Sequence, residues 1–280
     1  MKKTLLLLAL VFGAFTYAQV STPAASPFSK IEQAVGLTDV TIEYSRPSMK
    51  GRTIFGDLVP YNKLWRTGAN ARTKITFSDD VTFGGKELKK GTYALFTIPN
   101  TSQWEIIMYT EHQGNGTPRE LDESKVAARF NVAPVETSRA RETFTIEVAS
   151  LSNQGATLTL LWENVRVPIN VTVPTDATVM ASIDRAMSGP AAGDYYAAAV
   201  YYYDEGKDMA KAKEWIDKSL AGNDNPPFWQ LRQKSLIYAK AGDKKGAIEA
   251  ARKSMAAAQK AGNDDYVKMN QDSLKEWGAN

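Results

Sequence analysis

The sequence predicts an α+β protein: an N-terminal antiparallel β-sandwich or partly closed barrel, followed by a half built of α-helical repeats. Three observations predict this. Apolar and polar residues alternate in short runs from about residue 39 to 173, the spacing becomes helical after Pro174, and residues of the second half recur at an interval of 35.

The order of elements follows from local signals. Lys2 and Lys3, the apolar run at 5–12 and the small-residue approach to Ala18 have the order of a secretory leader, so residues 1–18 are expected to be a cleaved signal peptide. Export, to the periplasm first and to the exterior second, follows from that reading. Residues 19–29 are expected to be a flexible segment, and no later stretch approaches the ~20 apolar residues of a membrane span.

Alternation at 40–44, 73–77 and 92–98 predicts strands with one face buried, and 104–109, 144–148, 157–162 and 165–173 continue the pattern. Turn residues at 78–80, Gly84-Gly85, 100–101 and 153–155 separate them. Around eight short strands with local connections make a β-rich domain over 30–174. Pro168 and Pro174 favour an edge or a bulge in the last strand, because proline donates no ladder bond. In the longer connection at 111–141, residues 120–130 are expected to form one helix.

Residues 175–190 are read as a linker or short helix, with a helix expected at 176–186. Amphipathic spacing then predicts helices at 192–203, 209–220, 227–241, 244–259 and 265–277, separated by glycine- and aspartate-rich turns. Asp208, Ala212, Glu214 and Ser219 recur as Asp243, Ala247, Glu249 and Ser254, and Tyr203 recurs as Tyr238. This period resembles that of tetratricopeptide repeats, so residues 191–277 are read as a TPR-like helical domain. The resemblance implies a surface for a protein partner or a scaffold.

Composition removes several classes of function. Cysteine is absent, which excludes disulfides, thiolate catalysis and a lipidated cysteine. His112 is the single histidine, so zinc clusters and most histidine-based triads are excluded; it is read as a loop residue. No metal-loop or cofactor spacing is present, and none is expected to be needed. The net charge of +3 falls close to neutral once the leader lysines are removed, giving no electrostatic reason to expect nucleic acid. Lysines at 211–218 and 244–253 alternate with acids and read as solvated helix faces.

The densest polar and aromatic stretch is 44–70. Arg46, Arg52, Arg66 and Asn70 lie there among prolines and glycines, with Trp65 beside Arg66. Two readings stand side by side. These residues fasten a long loop to the sheet, or they line a pocket for a polar or anionic small molecule or glycan, since arginine's planar donors pair with carboxylate and phosphate. Trp65 likewise fits a ligand platform or a core plug, whereas Trp104 and Trp162 sit in strand patterns and read as core.

The stretches TDVTIEYSRPSMKGRTIFGDLVPYNKLWRTGANARTKITFSDDVTFGGKELKKGTYALFTIP and ATLTLLWENVRVPI resemble the bacterial family known as domain of unknown function 2911, over about residues 29–173. That resemblance implies an exported bacterial protein whose sheet domain is followed by TPR-like helices; it supplies no activity and no catalytic residues. An acid often follows Asn70 in that family, and Ala71 stands there here. The expected function is therefore an exported, non-enzymatic binding or scaffolding protein. The alternative is a cell-envelope enzyme acting on a polar or anionic small molecule or glycan through the arginine-rich loops.

Overall fold

The computed structural model describes residues 22–279; the expected leader and residues 19–21 lie outside them. The chain divides into two compact units between Thr175 and Asp176. In the first, ten strands form two antiparallel sheets. The larger sheet contains β1 (Phe28–Val35), β2 (Thr38–Ser45), β3 (Lys74–Phe77), β6 (Gly91–Ile98), β7 (Trp104–Tyr109) and β8 (Val126–Val132), in the order β1-β2-β3-β6-β7-β8. The smaller contains β4 (Val81–Phe83), β5 (Lys86–Leu88), β9 (Val135–Ala149) and β10 (Gly155–Thr172), in the order β5-β4-β10-β9. The sheets do not close into a barrel, so of the two predicted architectures the sandwich is the one formed.

One core fills the space between the sheets. Ile42, Ile75, Leu95 and Ile106 of the larger sheet share it with Phe144, Ile146, Leu158 and Trp162 of the smaller. Tyr44 joins the layers: its hydroxyl accepts from the Ile146 N–H at 3.0 Å and lies 3.4 Å from the Ile146 carbonyl. The Gly84-Gly85 turn closes β4 on β5 with both residues in the left-handed region (φ 56° and 81°). A Cβ on Gly84 would sit 2.0 Å from the Phe130 ring, so glycine is required there for packing as well as for the turn.

Four expectations need correction. Phe28 and Ser29, assigned to the flexible segment, begin β1, which pairs along its whole length with β2. Residues 120–130 do not form one helix: a 3-10 turn at Glu123–Lys125 leads into β8, where Ala128 and Phe130 face the core. Their period of two outweighs the alanines' helix preference. β6 buries both faces at its centre, because Ala94, Phe96, Ile107 and Tyr109 form a second cluster under Leu64 and Leu121. Pro168 is not in an edge strand; it lies in β10 between the residues paired with β9 and those paired with β4. A register shift does occur in β10, on both sides of Glu163, which has φ 52°.

The second unit holds α1 (Thr175–Ala186), α2 (Ala192–Asp204), α3 (Met209–Leu220), α4 (Phe228–Lys240), α5 (Lys244–Lys260) and α6 (Asp264–Glu276). α2 packs on α3, α4 on α5 and α5 on α6. The recurring aspartates are helix caps: the Asp208 carboxylate accepts from Ala210 N and Lys211 N, and Asp243 from Gly246 N. Ala212 and Ala247, also recurring, are fully buried. No helix among the described residues is long and apolar enough to cross a membrane.

Candidate functional site

The loop from 46 to 73 joins β2 to β3. Its first residues run beside β9: Arg46 Nε donates to the Phe144 carbonyl at 3.0 Å and Nη2 to Thr145 Oγ1 at 2.8 Å, and Met49 N donates to Glu142 O at 2.8 Å. Arg52 then closes the turn at 48–52, with Nε on Met49 O at 2.9 Å and Nη2 on Ser48 O at 2.7 Å. The Glu163 carboxylate anchors the next residues by accepting from Ile54 N and Phe55 N.

Further along, Trp65 pairs with β6: Trp65 N donates to Thr97 O at 2.8 Å and Thr97 N to Trp65 O at 2.9 Å. The Trp65 ring enters the core. It stacks on Trp162 at 5.8 Å and 21°, meets Phe55, Trp104 and Phe144 edge-on, and donates through Nε1 to Gly68 O at 3.1 Å. Thr67 follows with φ 56°, a rare conformation for a β-branched residue. Thr73 Oγ1 donating to its carbonyl at 2.6 Å and Thr97 Oγ1 lying 3.1 Å from its hydroxyl hold it there. Strain of this kind costs roughly 1–3 kcal/mol and clusters at functional sites.

Between these two fixed residues stands Arg66. Its Nε is buried without a hydrogen-bond partner, and its guanidinium makes no hydrogen bond or ion pair with any described residue. Arg66 lines a cavity of about 390 Å³, together with Lys50, Arg52, Leu58, Trp65 and Trp162. The lining carries three cationic side chains and no carboxylate. Ala25 and Ser26 complete it, and Asn70 holds them in place, its Nδ2 donating to Ser26 O at 3.2 Å. Arg46 N binds Pro27 O at 2.9 Å in the same way.

The five residues singled out in the sequence thus separate into two groups. Arg52, Trp65 and Arg66 line one cavity, Trp65 mainly as a buried wall. Arg46 and Asn70 lie outside the lining and position its edges. Sequence reasoning missed Lys50, although it stands in the same Lys-Gly-Arg turn as Arg52, and missed the wall formed by residues 25–26, for which no local signal existed. His112 does not line this cavity; its ring nitrogen lies 3.2 Å from the Gln113 side-chain amide. Among the described residues, no group of three or more His, Cys, Asp or Glu side chains is placed to hold a metal ion.

A cavity of this size and charge has the room and the donors for a small organic anion: the guanidinium offers paired N–H groups and the tryptophans an apolar wall. No curated protein and no solved structure matches the chain. Residues 26–171 match a family described as "Protein of unknown function (DUF2911)", a span that contains all of the cavity's lining but Ala25. That match covers more than half of the sequence, and the chain belongs to this family.

Proposed function

We propose that this is an exported binding protein whose sheet unit takes a small anionic ligand in the cavity of Arg66, and whose TPR-like helices present a surface to a protein partner. One observation carries the reading: Arg66, whose Nε is buried without a hydrogen-bond partner among the described residues, lines a cavity whose walls carry three cationic side chains and no carboxylate. A buried donor left unpaired costs about 1–3 kcal/mol, and an anion that fills the cavity recovers it. The lining also offers no carboxylate or histidine to act as acid or base, which supports binding over the enzymatic alternative.

The test is a thermal-shift screen of carboxylates, phosphates, sulfated compounds and acidic sugars, followed by calorimetric titration of each hit. Arg66→Ala is expected to weaken binding by about 1.5–3 kcal/mol, or roughly 10- to 100-fold. Hits confined to neutral or cationic compounds defeat the proposal. Export is tested separately by expressing the full sequence and determining the N-terminus of the product, expected at Gln19.

A further inference from the structure

The larger sheet ends on one side at β1, and β1 differs from the other edges. β5 has three residues, β8 and β9 pair through register shifts, and the edge of β9 near 142–145 is occupied by Arg46, Pro47 and Met49. β1 is eight residues long, pairs with β2 without a shift, and among the described residues has no strand on its outer side. An uncovered, regular edge of this length is a template for another strand.

The register shows which groups face outward. Pro27 O accepts from Arg46 N, and that pair continues the ladder Phe28↔Ser45, so the odd-numbered residues of β1 bond to β2. The N–H and C=O groups of Phe28, Lys30, Glu32 and Ala34 therefore face the free edge. Of these, the Ala34 carbonyl accepts from the Gln33 side chain at 2.9 Å and keeps a second lone pair. The same four side chains are exposed, Phe28 to 65%, and Lys30 forms an ion pair with Glu32 along the strand.

We propose that two copies of the chain pair antiparallel through β1, about a two-fold axis at Ile31. In that register Lys30 of each copy faces Glu32 of the other, and Phe28 faces Ala34. Each facing pair consists of residues whose backbone groups point outward, as a hydrogen-bonded antiparallel pair requires. An axis at Lys30 sets lysine against lysine, and one at Glu32 sets glutamate against glutamate; like charges directly opposite are destabilising. The strand is thus self-complementary in a single register that overlaps nearly all of it. The partner is a second copy, because the charge order Lys-Ile-Glu matches its own reverse.

Analytical ultracentrifugation of the purified protein across a concentration series tests this. The native chain is expected to sediment at twice the mass of one chain, with the monomer appearing on dilution. Lys30→Glu alone and Glu32→Lys alone are each expected to be monomeric with unchanged circular dichroism. The double exchange K30E/E32K, and an equimolar mixture of the two single variants, are expected to regain the dimer, since each restores opposite charges across the axis. Recovery in the mixture separates pairing from misfolding. A native chain that stays monomeric at every concentration overturns the proposal, as does a dimer that persists in both single variants or a mixture that stays monomeric.

Discussion

Replacing Trp65 by alanine measures how much of the candidate site is also the core. The indole is 9% exposed, stacks on Trp162, meets three further rings edge-on and satisfies the Gly68 carbonyl. Truncation of a buried tryptophan costs about 3–5 kcal/mol, and an unpaired carbonyl adds about 1 kcal/mol or more. The total is comparable with the whole stability of an ordinary domain, roughly 5–15 kcal/mol. With a urea slope of about 2 kcal/mol per molar, the midpoint of the sheet unit's transition should fall by about 2 M, read from its β-sheet circular dichroism. Arg66→Ala, one residue away, should leave the midpoint unchanged or raise it, because it removes a buried donor that has no partner among the described residues. A Trp65→Ala midpoint within about 0.5 M of the native value would refute the placement of this ring in the core.

Tyr44→Phe should cost about 1–3 kcal/mol in urea unfolding, since it leaves the buried Ile146 N–H without its acceptor. Asn70→Gly keeps the left-handed backbone while removing the bond to Ser26, so it should weaken anion binding about 2- to 10-fold with little loss of stability. Gly246→Ala should destabilise the helical unit despite alanine's better helix propensity, because its Cβ would lie 2.3 Å from the Tyr238 ring, whose hydroxyl is held by Asp217. Asp243 is held below the usual carboxylate range, first by the hydrogen bond from Lys213 and then by the Gly246 N–H. Its contribution is therefore present above the unfolded value near pH 4 and is lost as pH falls through the lower folded one. Asp243→Ala should lower the urea midpoint at pH 7, and the gap to the native protein should close on acidification.

The helical half was legible because its signals are local. Amphipathic spacing and the aspartates at 208 and 243 fix each helix within a few residues, and the recurring alanines turn out to be buried where helices approach. The sheet half was legible in its middle strands and not at its margins. β1 carries Lys30 and Glu32 on an exposed face, so its alternation is weak to the eye, and its pairing with β2 is what makes it a strand. The site was legible as a place, since prolines, glycines and arginines crowd residues 44–70. Which arginine remains free was not legible: Arg46 is satisfied by Phe144 and Thr145, nearly a hundred positions away, while Arg66 is fixed by the pairing of Trp65 with Thr97. Such long-range partners leave no trace in local spacing.

The most direct test of the central claim is calorimetric titration of one organic anion, selected by the thermal-shift screen, into the native protein and into Arg66→Ala. Saturable binding to the native protein is expected, weakening with added salt and dropping at least about 10-fold in the variant, with the fold intact. Equal affinity in the two proteins, or no anion that binds the native one, would contradict that claim.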